Sequence, residues 1–238
     1  MRPVLSLVLR IDATPYSFRG KSHGRSQVPA RVNDIGGPAP VYIRAGPGPR
    51  SVVPRKMARE SSLILLLRGI NLGPHKRISM PELRGLLAEA GFADVRTYVA
   101  SGNVVLSSSS APASVAAQAE GLIAERFGFD VDVIVRTRGE LAEVVALNPL
   151  ADVAVDPKRY QVTFLEEKVD PEVVARLDLL ALEPERLAFD GRELYTWHPD
   201  GVGRSKLWAK VASRGGVGAR GTARNWNTVT TLLAMADD

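Results

Sequence analysis

The sequence predicts an α+β fold of two tandem halves, each running strand, helix, strand, strand, helix, strand, with an additional helix at the C-terminus. Three observations predict it. Apolar runs of strand length alternate with segments whose apolar residues recur at helical spacing. Two tight turns, Ser101-Gly102-Asn103 and Asp190-Gly191, stand between strand-like runs as hairpin connections do. The same order of elements also recurs from Tyr160 onward, without clear residue identity between the two passes.

Residues 1–56 stand apart from this pattern. They hold half of the chain's 16 prolines, with arginines throughout and no sustained helical or strand period. Such a composition buries too little apolar surface to offset the entropy of ordering, so the expectation is a disordered tail, or a chain start placed upstream of the true one at Met57. The apolar run Val4–Leu9 ends at Arg10 with no small-residue cleavage pattern, which argues against a secretory signal, although the acid-poor, Arg-rich composition shares features with transit peptides.

From Met57 the elements follow in order. Leu63–Leu67 is a continuous apolar run suited to a buried strand. Ser79-Met80-Pro81-Glu82 has the form of a capping box; Leu83, Leu86, Leu87 and Ala90 continue at helical spacing, and Gly91 ends the helix. Val95, Thr97 and Val99 alternate as a strand, and Val104–Leu106 begins the return. Val115, Ala119, Leu122, Ile123 and Phe127 form one helical face, and Val131, Val133 and Val135 complete the first unit.

A helix ending near Asn148-Pro149 and a loop lead to the second unit. Gln161–Leu165 is its first strand, and Asp170-Pro171 pairs an N-cap with proline at the first helical position. Leu187–Phe189 and Leu194–Trp197 flank the turn, a helix spans about 205–213, a short strand covers about 219–222, and a last helix starts near Asn225. Two ferredoxin-like βαββαβ units account for this order most simply. The expected domains are 57–150, including a connecting helix, and 151–238.

Composition narrows the chemistry. The absence of cysteine excludes disulfides, thiolate metal sites and thiol nucleophiles, and suits a cytoplasmic location. No stretch reaches membrane-spanning length. The net charge of +5 is misleading, because residues 1–56 carry +8 and the remainder −3. His23, His75 and His198 show neither metal-ligand spacing nor a triad pattern, so neither a metal nor another cofactor is implied, and no catalytic constellation is recognisable.

Three motifs stand out: Leu66-Leu67-Arg68-Gly69-Ile70-Asn71, Tyr98-Val99-Ala100-Ser101-Gly102-Asn103-Val104, and Thr222-Ala223-Arg224-Asn225-Trp226-Asn227-Thr228-Val229. With these in this order, the stretch from about Leu63 to Leu233 resembles the DUF1697 family, widespread in bacteria. That resemblance implies an α+β fold of two ferredoxin-like domains and no established activity. Ala100 and Ala223 depart from the polar residues often found at these positions in the family, which removes two side chains from any ligand role.

The candidate site gathers Arg68, Asn71, Ser101, Asn103, Lys206, Arg224 and Asn227. Arg68 and Arg224 are planar cations suited to a carboxylate or phosphate, and the glycines beside Arg68 let backbone amides approach an anion, although the spacing is not that of a P-loop. The stretch Gly201–Ala236 adds Arg204, Lys206, Lys210, Arg214 and Arg220 to Arg224 with no acid among them. Contact with phosphates there would give weak, nonspecific nucleic-acid affinity. Trp226, Val229 and Leu233 share a helical face, which favours core packing over base stacking. The leading expectation is a ligand-binding protein for an anionic small molecule or nucleotide. Its rivals are an enzyme acting on a phosphorylated substrate, and motifs that only join the two halves.

Overall fold

The computed structural model describes residues 60–181, 183–213 and 216–238. The segment 1–56 lies outside them. All described residues belong to one compact unit, Pro54–Asp238.

Fifteen elements build two four-stranded antiparallel sheets and six α-helices. The first sheet contains β1 (Ser61–Leu67), β2 (Ala93–Tyr98), β3 (Asn103–Ser108) and β4 (Val133–Thr137), in the order β2-β3-β1-β4. The second contains β5 (Tyr160–Leu165), β6 (Arg186–Asp190), β7 (Glu193–Trp197) and β8 (Gly221–Asn225), in the order β6-β7-β5-β8. In both, the first strand is central and the last lies at an edge.

The helices are α1 (Met80–Glu89), α2 (Pro112–Phe127), α3 (Arg138–Leu147), α4 (Pro171–Asp178), α5 (Lys206–Val211) and α6 (Trp226–Asp237), with a 3-10 turn at Val202–Arg204. Local chemistry starts several of them. Thr137 and Glu140 form a reciprocal capping box on α3, Asp170 caps α4 ahead of Pro171, and Asn225 accepts from Thr228 N at the head of α6. Ser79 occupies the N-cap position of α1, but its side chain makes no capping bond.

Alternation along the strands sorts the apolar residues into three cores. Leu63, Leu65 and Leu67 face α1 and α2, with Val104, Leu106 and Val115. Ile64 and Leu66 face the other way, into a central core shared with α3, α6 and the inner face of the second sheet, including Val162, Phe164 and Tyr195. Leu165 and Leu194, on the outer face of the second sheet, pack with Leu177, Leu207 and Val211 of α4 and α5. β1 is apolar on both faces because it is central in its sheet and lies between two cores.

Three boundaries differ from the sequence expectation. Val99 lies beyond β2 at φ 48, about half exposed, because the chain must turn there. Val131 precedes β4. Most consequentially, β8 continues through Asn225, so Arg224 belongs to an edge strand rather than to the mouth of a helix. Trp226 is only partly buried and stacks on Tyr160 at 4.8 Å.

Candidate functional site

The register of β8 against β5 determines what Arg224 meets. Thr222 stands opposite Phe164 and Arg224 opposite Val162, so both point with those core residues toward the first sheet. On the first sheet, Asn103 pairs with Leu66 and shares its inward face. The two polar side chains therefore meet across the central core: Arg224 Nε donates to Asn103 Oδ1. Arg224 Nη1 donates to Thr222 Oγ1 at 2.8 Å and to the Ala223 carbonyl at 2.7 Å. Nη2 donates to the carbonyls of Leu67 at 2.7 Å, Ser101 at 3.1 Å and Gly102 at 3.2 Å.

All five N–H donors of this guanidinium are thus met by the protein. Its acceptors are uncharged, and burial pushes its pKa down to about 10, which leaves it cationic at neutral pH.

The other two motifs are fastened to the same point. Asn103 is fully buried and donates to Tyr98 O at 2.9 Å and Ser101 Oγ at 3.1 Å. Asn71, at φ 55, donates to Ile78 O at 3.0 Å and Ala100 O at 2.7 Å, while its Oδ1 accepts from Ile78 N. One amide closes its own loop and ties that loop to the hairpin. Gly102 is at φ 79, and a Cβ there would lie 2.7 Å from both Leu67 Cβ and Ile70 Cδ1, so both its backbone and its surroundings require glycine.

Arg68 takes part through charge. It donates to Asp132 at 3.0 Å; Arg220 reaches the other oxygen of Asp132 at 3.1 Å and grips Glu166 with two bonds of 2.6 Å. Partial burial works to raise the Asp132 pKa, but the bonds from Arg68 and Arg220 outweigh it and hold the carboxyl below its ordinary range.

The structure brings together Arg68, Asn71, Ser101, Asn103 and Arg224 around the end of β1. Asn227 is half-buried in the first turn of α6. Lys206 is exposed at the start of α5, which packs on the opposite face of the second sheet from Arg224. Of the six cations in Gly201–Ala236, Arg220 and Arg224 have internal partners, and Arg214 lies outside the described residues.

Sequence reasoning missed Arg136. It is 1% exposed, faces inward opposite Ile64, and lies 5.7 Å from the Phe164 ring. It donates to Glu193 at 2.8 Å, to its neighbour Val135 O at 3.0 Å and to Leu165 O at 2.6 Å. Burial lowers its pKa, against the opposing pull of Glu193. A signal was present: Arg136-Thr137 and Arg224-Asn225 are both an arginine followed by an N-cap residue at the junction of strand and helix.

Beside this second arginine the surface opens into a cleft of about 220 Å³ between α3 and the β6-β7 hairpin. Its lining includes Glu140, Glu143, Lys168, Asp190, Arg192 and Tyr195. Bonds from Thr137 and the charge of Arg192 hold the Glu140 carboxyl below its ordinary range, overcoming the upward push of partial burial. The matching place in the first sheet is filled. Ile70, three residues after Leu67, is buried against Gly102, whereas Lys168, three residues after Leu165, is exposed, and Arg192 stands where Gly102 does. The correspondence follows from the backbone, since Leu67 N bonds Gly102 O just as Leu165 N bonds Arg192 O.

Among the described residues, no group of three or more His, Asp or Glu side chains is placed to hold a metal ion. No described helix is long and apolar enough to cross a membrane.

A family model described as a protein of unknown function, DUF1697, matches residues 61–195. No curated protein matches the chain. Among solved structures, the conserved bacterial protein SP0830 from Streptococcus pneumoniae is similar in fold, with a TM-score of 0.63 at 23% identity, covering 75% of this chain and 99% of that one.

Proposed function

Because the chain belongs to the DUF1697 family of proteins of unknown function, we propose its role from its own geometry: a non-catalytic small-ligand-binding protein made of two ferredoxin-like halves. In this reading the motifs around Arg224 lock the halves together, and the ligand seat is the cleft between α3 and the β6-β7 hairpin.

One observation carries the reading: the five donors of Arg224 are all used inside the protein, while the cleft presents Glu143, Lys168 and Asp190, none of which has a side-chain partner among the described residues. Two equal strand orders, each followed by a capped helix, support the reading as tandem ferredoxin-like units. A ligand suited to this lining carries a carboxylate or phosphate for Lys168 and a hydrogen-bond-donating or cationic group for Glu143 and Asp190. Charged groups placed in this way fix a ligand's orientation and provide its specificity.

Isothermal titration with amino acids, sugar phosphates and inorganic phosphate tests the proposal. A saturable signal from one class, lost in both Lys168→Ala and Glu143→Gln, is the expected result. Binding that survives both substitutions, or a blank panel, overturns the cleft as the seat.

A further inference from the structure

The charges that border the cleft between α3 and the β6-β7 hairpin do not cancel. Glu140 is taken by Arg192, and Glu193 by the buried Arg136 at 2.8 Å. Three charged side chains are left over: Glu143 on α3, Asp190 at the hairpin on the opposite wall, and Lys168 from the loop after β5. All three are exposed, and none has a side-chain partner among the described residues. Two carboxylates and one ammonium thus border one space of about 220 Å³, smaller than the roughly 300–1,000 Å³ of drug-sized sites, which restricts it to a small guest. Tyr195 borders the same space. Its side chain is 1% exposed, and its hydroxyl makes no hydrogen bond within the described protein. Burial, with the charges of Glu193 and Asp190 beside it, pushes its pKa up, so the phenol stays a neutral donor. Both of those carboxylates belong to the cleft wall, which sets the hydroxyl end of the ring toward the cleft.

Taking this cleft as the ligand seat, as under the proposed function, we infer that its guest is a small diamino acid, with two cationic groups and one carboxylate. Each unpaired charge then meets its opposite: the cations at Glu143 and Asp190, and the carboxylate at Lys168, with the Tyr195 hydroxyl as a further donor. A phosphate or a dicarboxylate would satisfy Lys168 but set its remaining charge against two carboxylates. A diamine would satisfy the carboxylates but leave Lys168 facing a cation. Like charges brought together reject the wrong guest, so the pattern discriminates as well as attracts. Because the three charges are exposed, salt screens them, and the affinity is greatest at low ionic strength.

The test is isothermal titration of the full chain at low salt with lysine, norleucine, cadaverine and glutamate, repeated on Lys168→Ala, Glu143→Gln and Asp190→Asn. Lysine is expected to bind at least about tenfold more tightly than norleucine, which lacks the distal ammonium, and than cadaverine, which lacks the carboxylate. The preference over cadaverine should vanish in Lys168→Ala, and the preference over norleucine in one of the two acid variants, because each substitution removes the partner of the group being compared. The three substituted side chains are exposed, so the variants keep the fold. Norleucine or cadaverine binding as tightly as lysine overturns the diamino acid. Glutamate binding more tightly than lysine, and lost in Lys168→Ala, overturns it while the cleft stands as the seat. Lysine binding that survives all three substitutions overturns both. A blank for all four compounds overturns the diamino acid, and the cleft falls with it only if sugar phosphates and inorganic phosphate are blank too.

Discussion

Arg136 and Arg224 occupy the same position in their two sheets and reach across the central core in opposite directions. Each stands one residue before a helix N-cap and opposite an apolar residue of the sheet's first strand, Ile64 or Val162. Arg136 takes the carbonyl at the end of β5, Leu165, and Arg224 the carbonyl at the end of β1, Leu67. The charges beside them are reversed: Arg68 with Asp132 in one sheet answers Glu166 with Arg220 in the other. Two copies of the first arrangement would set Asp132 against Asp132, whereas here Asp132 meets Arg220. The arginines are not equivalent in energy, because Arg136 has the Glu193 carboxylate and Arg224 has only neutral acceptors.

Replacing Arg224 by alanine leaves Asn103 Oδ1 and the Leu67 carbonyl buried without this donor, each costing about 1–3 kcal/mol. The expected loss for the two together is about 2–6 kcal/mol, measured by urea unfolding. Arg224→Lys rescues little, since an ammonium cannot span acceptors on three sides. A stability within about 0.5 kcal/mol of wild type, as at an ordinary surface site, would rule out the lock.

Gly102 and Gly128 separate two effects that are usually confounded. Both have positive φ, 79 and 75, but a Cβ at Gly102 strikes Leu67 and Ile70, whereas one at Gly128 meets nothing within 4 Å. Gly128→Ala should cost about 1–2 kcal/mol for the left-handed backbone alone. Gly102→Ala should cost about 1–3 kcal/mol more from overpacking. Equal melting shifts for the two variants would show that Ile70 yields and does not seal the hairpin.

Asp132 joins Arg68 to Arg220, but its side chain is 33% exposed, so solvent screens the network. Asp132→Asn is expected to cost no more than about 1 kcal/mol. The loss should shrink as salt rises from 0.05 to about 0.5 M, because screening shortens the reach of exposed charges. A loss independent of salt would make Asp132 a packing residue.

Much of this architecture was legible because period and punctuation agree: Leu63–Leu67, the hairpin at Asp190-Gly191 and the caps Asp170 and Asn225 all fall where the sequence puts them. The end of β8 was not. Arg224 occupies a core-facing strand position with a cation, so the alternation reads as polar and, in the sequence, the strand stops at Thr222. The same misdirection hid Arg136 inside an otherwise apolar strand. The structure gathers Asn71, Asn103 and Arg224, but the direction of their hydrogen bonds is not legible in the sequence, because acceptors such as the Leu67 carbonyl are backbone atoms with no sequence signature. The cleft was illegible for a related reason: it exists through what Lys168 and Arg192 fail to fill, a difference visible only once Leu165 is aligned with Leu67 by hydrogen bonding.

The buried imidazole makes stability depend on pH in a defined window. Burial disfavours protonated His198 and outweighs the Glu185 carboxylate that favours it, so the folded-state pKa lies below the ordinary 6.5. As pH falls through 6.5 the unfolded chain takes up the proton first, and stability drops until the folded-state pKa is passed. The slope from this group is at most about 1.4 kcal/mol per pH unit. Asp132 and Glu140 are depressed from 3.8 and 4.5, so their stabilisation is lost only at lower pH and leaves the interval from 7 to 5 to the histidine. Urea unfolding across that interval should show the wild type weakening and His198→Gln staying nearly flat. Glu185→Gln, which removes the one contribution favouring the charged ring, should extend the decline to lower pH. Identical slopes for wild type and His198→Gln would place the proton uptake elsewhere.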